Sequence, residues 1–317
     1  MQVSAQKIVV LGTGGTIAGT AAQAGDNIGY TAAQVGVGEL LAAVPGLEVV
    51  AGGPLVVEQV AQIDSKDMEM GVWRALALRC AECMRDPAVR GVVITHGTDT
   101  IEETAWFLHS VLHASKPVVL TCAMRPSTAL VPDGPQNLLD AVAVAATAGA
   151  QGVVVVAAGT IHGAQRVQKV HPYRVDPFSS GDAGPLGWVE EGAARLVHAW
   201  PQAPGGKAAT AIATLPADAP WPWVELVVSH AGASGRAVDA LVREGVQGLV
   251  VACTGNGTVH HALGDALARA QAVGVRVVRS TRCAEGRLLP TAGDAFAAAP
   301  GLSPVKARIT LMLELLH

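Results

Sequence analysis

Aromatic side chains are scarce. They make up 3% of the 317 residues, as six Trp, three Phe and two Tyr. A core in this chain therefore has to be built from Ala, Val, Leu and Ile, residues that suit tightly packed parallel strands covered by helices. Charge is also thin, at 15% against 50% hydrophobic residues, which excludes a disordered chain. No uninterrupted apolar run reaches the roughly 18 residues that a membrane-spanning helix needs, so no membrane partner is expected. A net charge of -4 without a basic block excludes the usual footprint of a nucleic-acid binder. The five cysteines, at 80, 83, 122, 253 and 283, are odd in number and spread along a long chain, which argues against a disulfide framework. The first apolar stretch, Ile8 to Leu11, is too short for a signal-peptide core and runs into a glycine loop, so a cytoplasmic protein is expected.

What is present alternates. Residues 7–11 read as a buried strand, 36–44 as a helix, and 47–60 as strand-like with a Gly-Gly-Pro break. Residues 67–85 read as a long helix stopped by Asp86-Pro87, and 91–95 as the next strand. Residues 101–113 form the clearest amphipathic helix, with Ile101, Ala105, Leu108 and Leu112 on one stripe. It opens with Thr100 and Glu103, the spacing of a capping box. Strand, helix and strand follow at 117–122, 136–147 and 152–158. The alternation lapses over 160–220, where turn residues and hairpins are expected, and resumes from 224 to the last helix at 304–316. This is an α/β chain with a largely parallel sheet. The length suggests two domains, which we place at 1–200 and 222–317 with a linker at 201–221 and the second domain the smaller.

Two loops stand at strand ends, where open α/β sheets bind ligands. The first is Gly12-Thr13-Gly14-Gly15-Thr16-Ile17-Ala18-Gly19. Ile17 stands where a dinucleotide fingerprint requires glycine, and Thr20 stands where a P-loop requires lysine. What remains is a loop whose glycines let backbone approach a ligand while Thr16 offers a hydroxyl. An ordinary strand-to-loop turn is the plainer reading. The second loop is Thr95-His96-Gly97-Thr98-Asp99-Thr100. It offers a second hydroxyl at Thr98, and Asp99 lies near a helix start, where a carboxylate is stabilised and can hold an ammonium. Plain helix-start chemistry explains Asp99, Thr100, Glu102 and Glu103 equally well, but not His-Gly-Thr beside the strand end.

Two hydroxyls need a base. No Gly-x-Ser-x-Gly elbow or His-Glu-x-x-His helix occurs, and His260-His261 reads as a surface pair. A neutral lysine can serve. Lys169 lies on the right sheet edge by chain order, but spacing alone does not select it among Lys7, Lys66, Lys116, Lys207 and Lys306. Cys80-x-x-Cys83 lies inside a helix with no second pair, which fits two core cysteines better than a zinc or redox site. Arg125, in the loop after the fourth strand, either binds an anion or ties that loop down.

Taken together, GTGGTIAGT and GVVITHGTDTIEETAWFL resemble the two signature segments of the bacterial-type L-asparaginase (asparaginase/glutaminase) family. The likeness continues in GYTAAQVGVGELL, IDSKDM, PVVLTCAMRPSTALVPDGPQNLLDA and TGNGTVHHAL, across nearly the whole chain. The resemblance implies a larger N-terminal flavodoxin-like α/β domain with a mainly parallel sheet and a smaller C-terminal α/β domain. It implies homotetramers built as dimers of intimate dimers, with active sites between the N-domain of one subunit and the C-domain of its partner. By position, Thr16 resembles the nucleophile and Tyr30 the tyrosine of the mobile lid. Thr98 and Lys169 resemble the second threonine and its lysine. Asp99 resembles the aspartate that holds the substrate α-amino group, and Ser65 the serine that takes its α-carboxylate. Gly97 resembles a further substrate-binding position, and Asn256 a partner-subunit residue near the site. Two departures from the family pattern bear on substrate choice. Lys66, also counted with the substrate-binding residues, stands where glutamine is common, and Glu285 is the candidate for a C-domain glutamate in a segment that aligns poorly.

The chemistry implied is hydrolysis of the L-asparagine side-chain amide to L-aspartate and ammonia through a threonine acyl-enzyme, with weaker glutaminase activity and no cofactor or metal. A lysine base has to shed its proton, which burial favours and a nearby carboxylate opposes. Backbone N–H groups of the glycine loops would meet the oxyanion, and residues 19–29 would close over the substrate and carry Tyr30 in. One alternative is an amidase subunit acting on a larger amide, which calls for a further N-terminal domain. The other is a sensor on the same fold that binds asparagine or aspartate without turnover.

Overall fold

The computed structural model describes residues 6–202, 212 and 219–316. The chain divides into two units, Met1–Ala213 and Thr214–His317. Most of the linker expected at 201–221, namely 203–211 and 213–218, lies outside the described residues.

The first unit is built on one eight-stranded sheet. Its strands are β1 (Lys7–Gly14), β2 (Leu55–Ile63), β3 (Val89–Thr95), β4 (Pro117–Thr121), β5 (Gly152–Ala157), β6 (Thr160–Gly163), β9 (Gly187–Glu190) and β10 (Ala193–Leu196), in the order β10-β9-β6-β5-β4-β3-β1-β2. Strands β1 to β5 are parallel, and β6, β9 and β10 add an antiparallel edge. Two short strands, β7 (Gln168–Lys169) and β8 (Phe178–Ser179), pair only with each other among the described residues. The parallel strands are covered on both faces, so they read as unbroken aliphatic runs: Ile8 to Leu11, Val92 to Ile94, Val118 to Leu120 and Val153 to Val156 are all fully buried. The aromatic-poor composition supplies a sheet core without aromatic side chains in these runs.

Helices α1 (Val37–Ala42), α2 (Leu47–Ala51), α3 (Met70–Arg85), α4 (Ile101–Val111) and α5 (Gly134–Ala146) belong to this unit. Helix α3 buries Trp73, Leu76, Ala77, Cys80 and Cys83 on one stripe of helical period. The two cysteines are thus core side chains, and burial pushes the Cys80 thiol far above its ordinary range. Trp73 stacks on Phe107 of α4 at 4.9 Å between ring centroids.

Two local expectations are corrected. Residues 47–60 are not one strand, because α2 occupies the first part. Its buried positions, Leu47 and Ala51, are one helical turn apart, Val49 is exposed, and left-handed Gly46 and Gly52 bracket it. The β-branched pair Val49-Val50 mimics a strand but sits on a turn of helix. The capping box at Thr100 does not form either. Its side chain makes no cap bond and donates instead to the Ser65 carbonyl at 2.7 Å.

The second unit has a four-stranded parallel sheet in the order β11-β12-β13-β14 (Val224–Val228, Gly248–Cys253, Arg276–Thr281 and Ala297–Ala298). Helices α6 (Arg236–Arg243), α7 (His261–Ala272) and α8 (Pro304–Glu314) pack around it. His260 is the N-cap of α7, its ring accepting from the Ala262 N–H at 3.3 Å and stacked on His261. The molecule is therefore mixed α/β, with a large, mainly parallel N-terminal sheet and a separate small parallel one.

Candidate active site

The strand order β2-β1-β3-β4-β5 reverses direction at β1, and a crevice opens outside the carboxyl ends at such a switch point. Ser65 follows β2, Thr16 follows β1, and Thr98 with Asp99 follows β3. All three loops therefore emerge from neighbouring strand ends. Two glycines let them meet. Gly15, at a left-handed φ of 81°, lies flat against the Gly97 backbone. A Cβ on Gly97 would stand 2.5 Å from the Ser65 hydroxyl and 3.1 Å from Gly15 Cα. No side chain fits at either position, which is why the loops carry glycine where they touch.

Thr16 begins a single 3-10 turn and is buried. Its hydroxyl lies 2.7 Å from the Tyr30 hydroxyl. Tyr30 ends the segment expected to act as a lid, and Thr20 and Thr31 pin the two ends of that segment to each other by reciprocal 2.9 Å backbone bonds. The segment is docked on the loop after β4. Ser127 donates its hydroxyl to the Gly19 carbonyl at 2.8 Å, the Ala21 N–H donates to Thr128 Oγ1 at 2.8 Å, and the Leu130 N–H donates to the Ala24 carbonyl at 3.0 Å. Asp133 shapes the receiving loop by accepting the N–H groups of Met124 and Arg125 at 2.9 and 3.0 Å. The Arg125 guanidinium donates to the Val131 carbonyl at 3.0 Å. Of its two readings, Arg125 takes the one that ties the loop down.

On the other strand end, Lys169 Nζ donates to Thr98 Oγ1 at 2.8 Å and to Asp99 Oδ1 at 2.5 Å. The Asp99 N–H points at Ser65 Oγ, 3.2 Å away. Thr16–Tyr30 and Thr98–Lys169 are thus two hydroxyl-centred pairs on adjacent strands, with Ser65 and Asp99 beside the second. Lys66 makes its ion pairs on its own turn. Its ammonium sits 2.5 Å from Asp67 and 3.4 Å from Asp64, and the hydrogen bond to Asp67 pushes its pKa up. Asn256 and Glu285 belong to the second unit. Both amide atoms of Asn256 are engaged with the Leu289 backbone, at 3.2 Å as donor and 2.8 Å as acceptor, and Glu285 is exposed. All five cysteines are free, and among the described residues no group of three or more His, Cys, Asp or Glu side chains could hold a metal.

Sequence reasoning missed what lies beneath. His96 is fully buried, and its Nδ1 lies 2.8 Å from the Gly97 carbonyl. A carbonyl only accepts, so Nδ1 carries the proton and Nε2 accepts from the Thr104 hydroxyl at 2.9 Å. That hydroxyl in turn accepts from the Trp73 indole N–H at 2.8 Å. The three residues are 8 and 31 positions apart, a spacing that signals nothing in one dimension. Burial lowers the His96 pKa to about 4, and it lowers that of His109, on the same helix as Thr104, also to about 4.

These two histidines set a pH dependence. Both are neutral when folded, while an unfolded histidine takes up its proton near pH 6.5. The unfolded chain therefore binds more protons as pH falls from about 6.5 towards 4, and stability present above that window is lost across it. Each histidine can contribute up to about 3 kcal/mol to the loss. Denaturant unfolding is expected to give a lower stability at pH 4.5 than at pH 7.5, and His109→Phe, which removes one of the two groups, should flatten the slope. An unchanged slope in that variant would remove His109 from the account.

Comparison with known proteins follows the same division of the chain. Residues 7–202 match the family model for the N-terminal domain of asparaginase. Residues 223–317 match that for the glutaminase/asparaginase C-terminal domain. Among similar sequences is L-asparaginase 2 of Escherichia coli, 39% identical over 97% of this chain and 88% of its own length. Another is the glutaminase-asparaginase of Pseudomonas fluorescens, 37% identical over 97% of this chain and 86% of its own. A solved structure described as a probable cytoplasmic L-asparaginase from Campylobacter jejuni superposes with a TM-score of 0.90 at 36% identity, covering 98% of this chain and 95% of that one.

Proposed function

This chain belongs to the asparaginase family over both of its domains, and from that premise we propose that it hydrolyses the side-chain amide of L-asparagine to L-aspartate and ammonia, with weaker action on L-glutamine. The observation that carries the reading is the pairing of two hydroxyls with two proton-handling groups, Thr16 with Tyr30 and Thr98 with Lys169, at the switch point of the sheet.

In the first step Thr16 Oγ attacks the amide carbon. The C–N bond breaks, the hydroxyl proton ends on the departing ammonia, and an acyl-threonine remains. In the second step water attacks that ester while Thr98 and Lys169 take its proton; the bond from the acyl carbon to Thr16 Oγ breaks, the proton passes on to Thr16 Oγ, and L-aspartate leaves. Ser65 and Asp99 hold the substrate α-carboxylate and α-amino group beside Gly97, and Tyr30 both orients the Thr16 hydroxyl and covers it. Asn256 completes the site from the second domain of a partner subunit in a homotetramer, a dimer of intimate dimers. The ion-paired Lys66 offers the substrate no amide where glutamine is common in the family. Residues 1–200 carry the catalytic threonines and 222–317 form the second domain. A cytoplasmic location accords with the name of the structural relative, although a relative from Haemophilus influenzae is named periplasmic. Among the described residues no helix is long and apolar enough to cross a membrane.

The test is ammonia release from L-asparagine and L-glutamine side by side. Turnover is expected on both, faster on asparagine. Stabilisation of the protein by asparagine without ammonia release would overturn the reading in favour of a sensor.

A further inference from the structure

We propose that Glu102 is the positioning residue that aims Lys169 at Thr98, an inference that rests on the role given to Lys169 above. Lysine is a poor choice for a precisely aimed base unless something fixes its long side chain. Its local scaffold here is slight. Lys169 sits on β7, a two-residue strand paired among the described residues only with the two-residue β8, and so small a pair is marginal on its own. Val167, just before β7, and Phe178, on β8, are buried. What fixes Lys169 itself is Glu102, whose Oε2 accepts the Lys169 backbone N–H at 2.9 Å across 67 residues of sequence.

The same short segment also supplies both contacts of the side-chain nitrogen. Thr98 and Asp99 hold Nζ, and Glu102 holds the main chain of the same residue. Lys169 is therefore gripped at both ends by residues 98–102, and its reach is set within one rigid piece of the fold, where β3 passes into α4. A carboxylate in the first turn of a helix ordinarily needs no explanation beyond the helix dipole. Here it also accepts a charge-assisted hydrogen bond from the residue that carries the proposed base. A displacement of about 1 Å in a reacting group can cost about 100-fold in rate, so loss of this bond should appear in turnover more than in substrate affinity.

A double-mutant cycle tests it, with kcat and KM measured on L-asparagine for Glu102→Ala, Lys169→Met and the pair. Glu102→Ala is expected to lower kcat by about 10- to 100-fold with KM moved by less than about threefold. Glu102→Gln keeps an acceptor oxygen at the same reach and should recover kcat to within about threefold of the parent. Glu102→Asp keeps the charge at the helix start but falls short of the N–H. It should fail like alanine while folding normally, which guards against a variant that does not fold. In the Lys169→Met background, Glu102→Ala should cost nothing further. A Glu102→Ala enzyme with unchanged kcat, or a loss that is as large in the Lys169→Met background as in the parent, overturns the inference and leaves the role of Lys169 standing. Full turnover by Lys169→Met alone overturns that role, and the inference with it.

Discussion

Replacing Thr16 with alanine is expected to abolish nearly all ammonia release, lowering kcat on L-asparagine by at least about three orders of magnitude, the scale on which deletion of a covalent nucleophile acts. The fold should survive. Thr16 loses one hydrogen bond, to Tyr30, and no backbone constraint, because its turn is held by the Gly19 N–H to Thr16 carbonyl bond at 2.8 Å and by the β1 ladder. The stability cost of that one bond is about 1 kcal/mol. Unfolding curves and single-turnover kinetics on the same preparation separate the two effects. A Thr16→Ala protein that folds and keeps near-parental turnover would remove Thr16 from the chemistry. The Thr16→Ser variant, with its hydroxyl in place, should retain a substantial part of the rate.

The second large effect is expected from Gly15→Ala, a change of one methyl group that bears no chemistry. The new Cβ would fall on the Gly97 backbone and on the His96 carbonyl carbon 2.8 Å away, none of which can rotate aside. The residue would also have to hold a left-handed φ of 81°, which costs a non-glycine roughly 1–2 kcal/mol. Overpacking of a tight contact adds about 1–3 kcal/mol. The loops after β1 and β3 must then part, which separates Thr16 from Thr98. Both stability and turnover should fall together, with kcat down by about 100-fold or more even in the folded fraction. Gly25→Ala is the control, since its Cβ would meet nothing within 4 Å and its φ is not left-handed. Equal behaviour of the two variants in denaturant would show that the Gly15–Gly97 contact is not tight in solution.

The strand and helix alternation could be read in advance because buried parallel strands leave unbroken aliphatic runs, and β1, β3, β4 and β5 do so. The glycines of the two loops were legible for a related reason. In the first loop only close backbone approach or a left-handed turn explains so many of them where a strand ends. Legibility failed where two physical signals share one spelling. Val49 and Val50 are β-branched yet lie in a helix, because burial at Leu47 and Ala51 outweighs their preference. Thr100 and Glu103 have the letters of a capping box, but a competing acceptor, the Ser65 carbonyl, takes the hydroxyl. Long-range partners were invisible altogether. Lys169 could not be chosen from spacing because its strand belongs to no main sheet. Glu102, 67 residues earlier, looked like helix-start chemistry. The Trp73–Thr104–His96 chain has no sequence signature at all.

That buried chain also governs how kinetics on this protein should be read. An inflection between pH 5 and 8 in a rate profile invites assignment to a histidine, and His96 is the histidine adjoining the Gly97-Thr98 loop. With a pKa near 4 and both ring nitrogens committed, it is electrically silent across that whole interval. An inflection observed there reports some other proton, and His96 variants should alter the height of the profile without moving its midpoint.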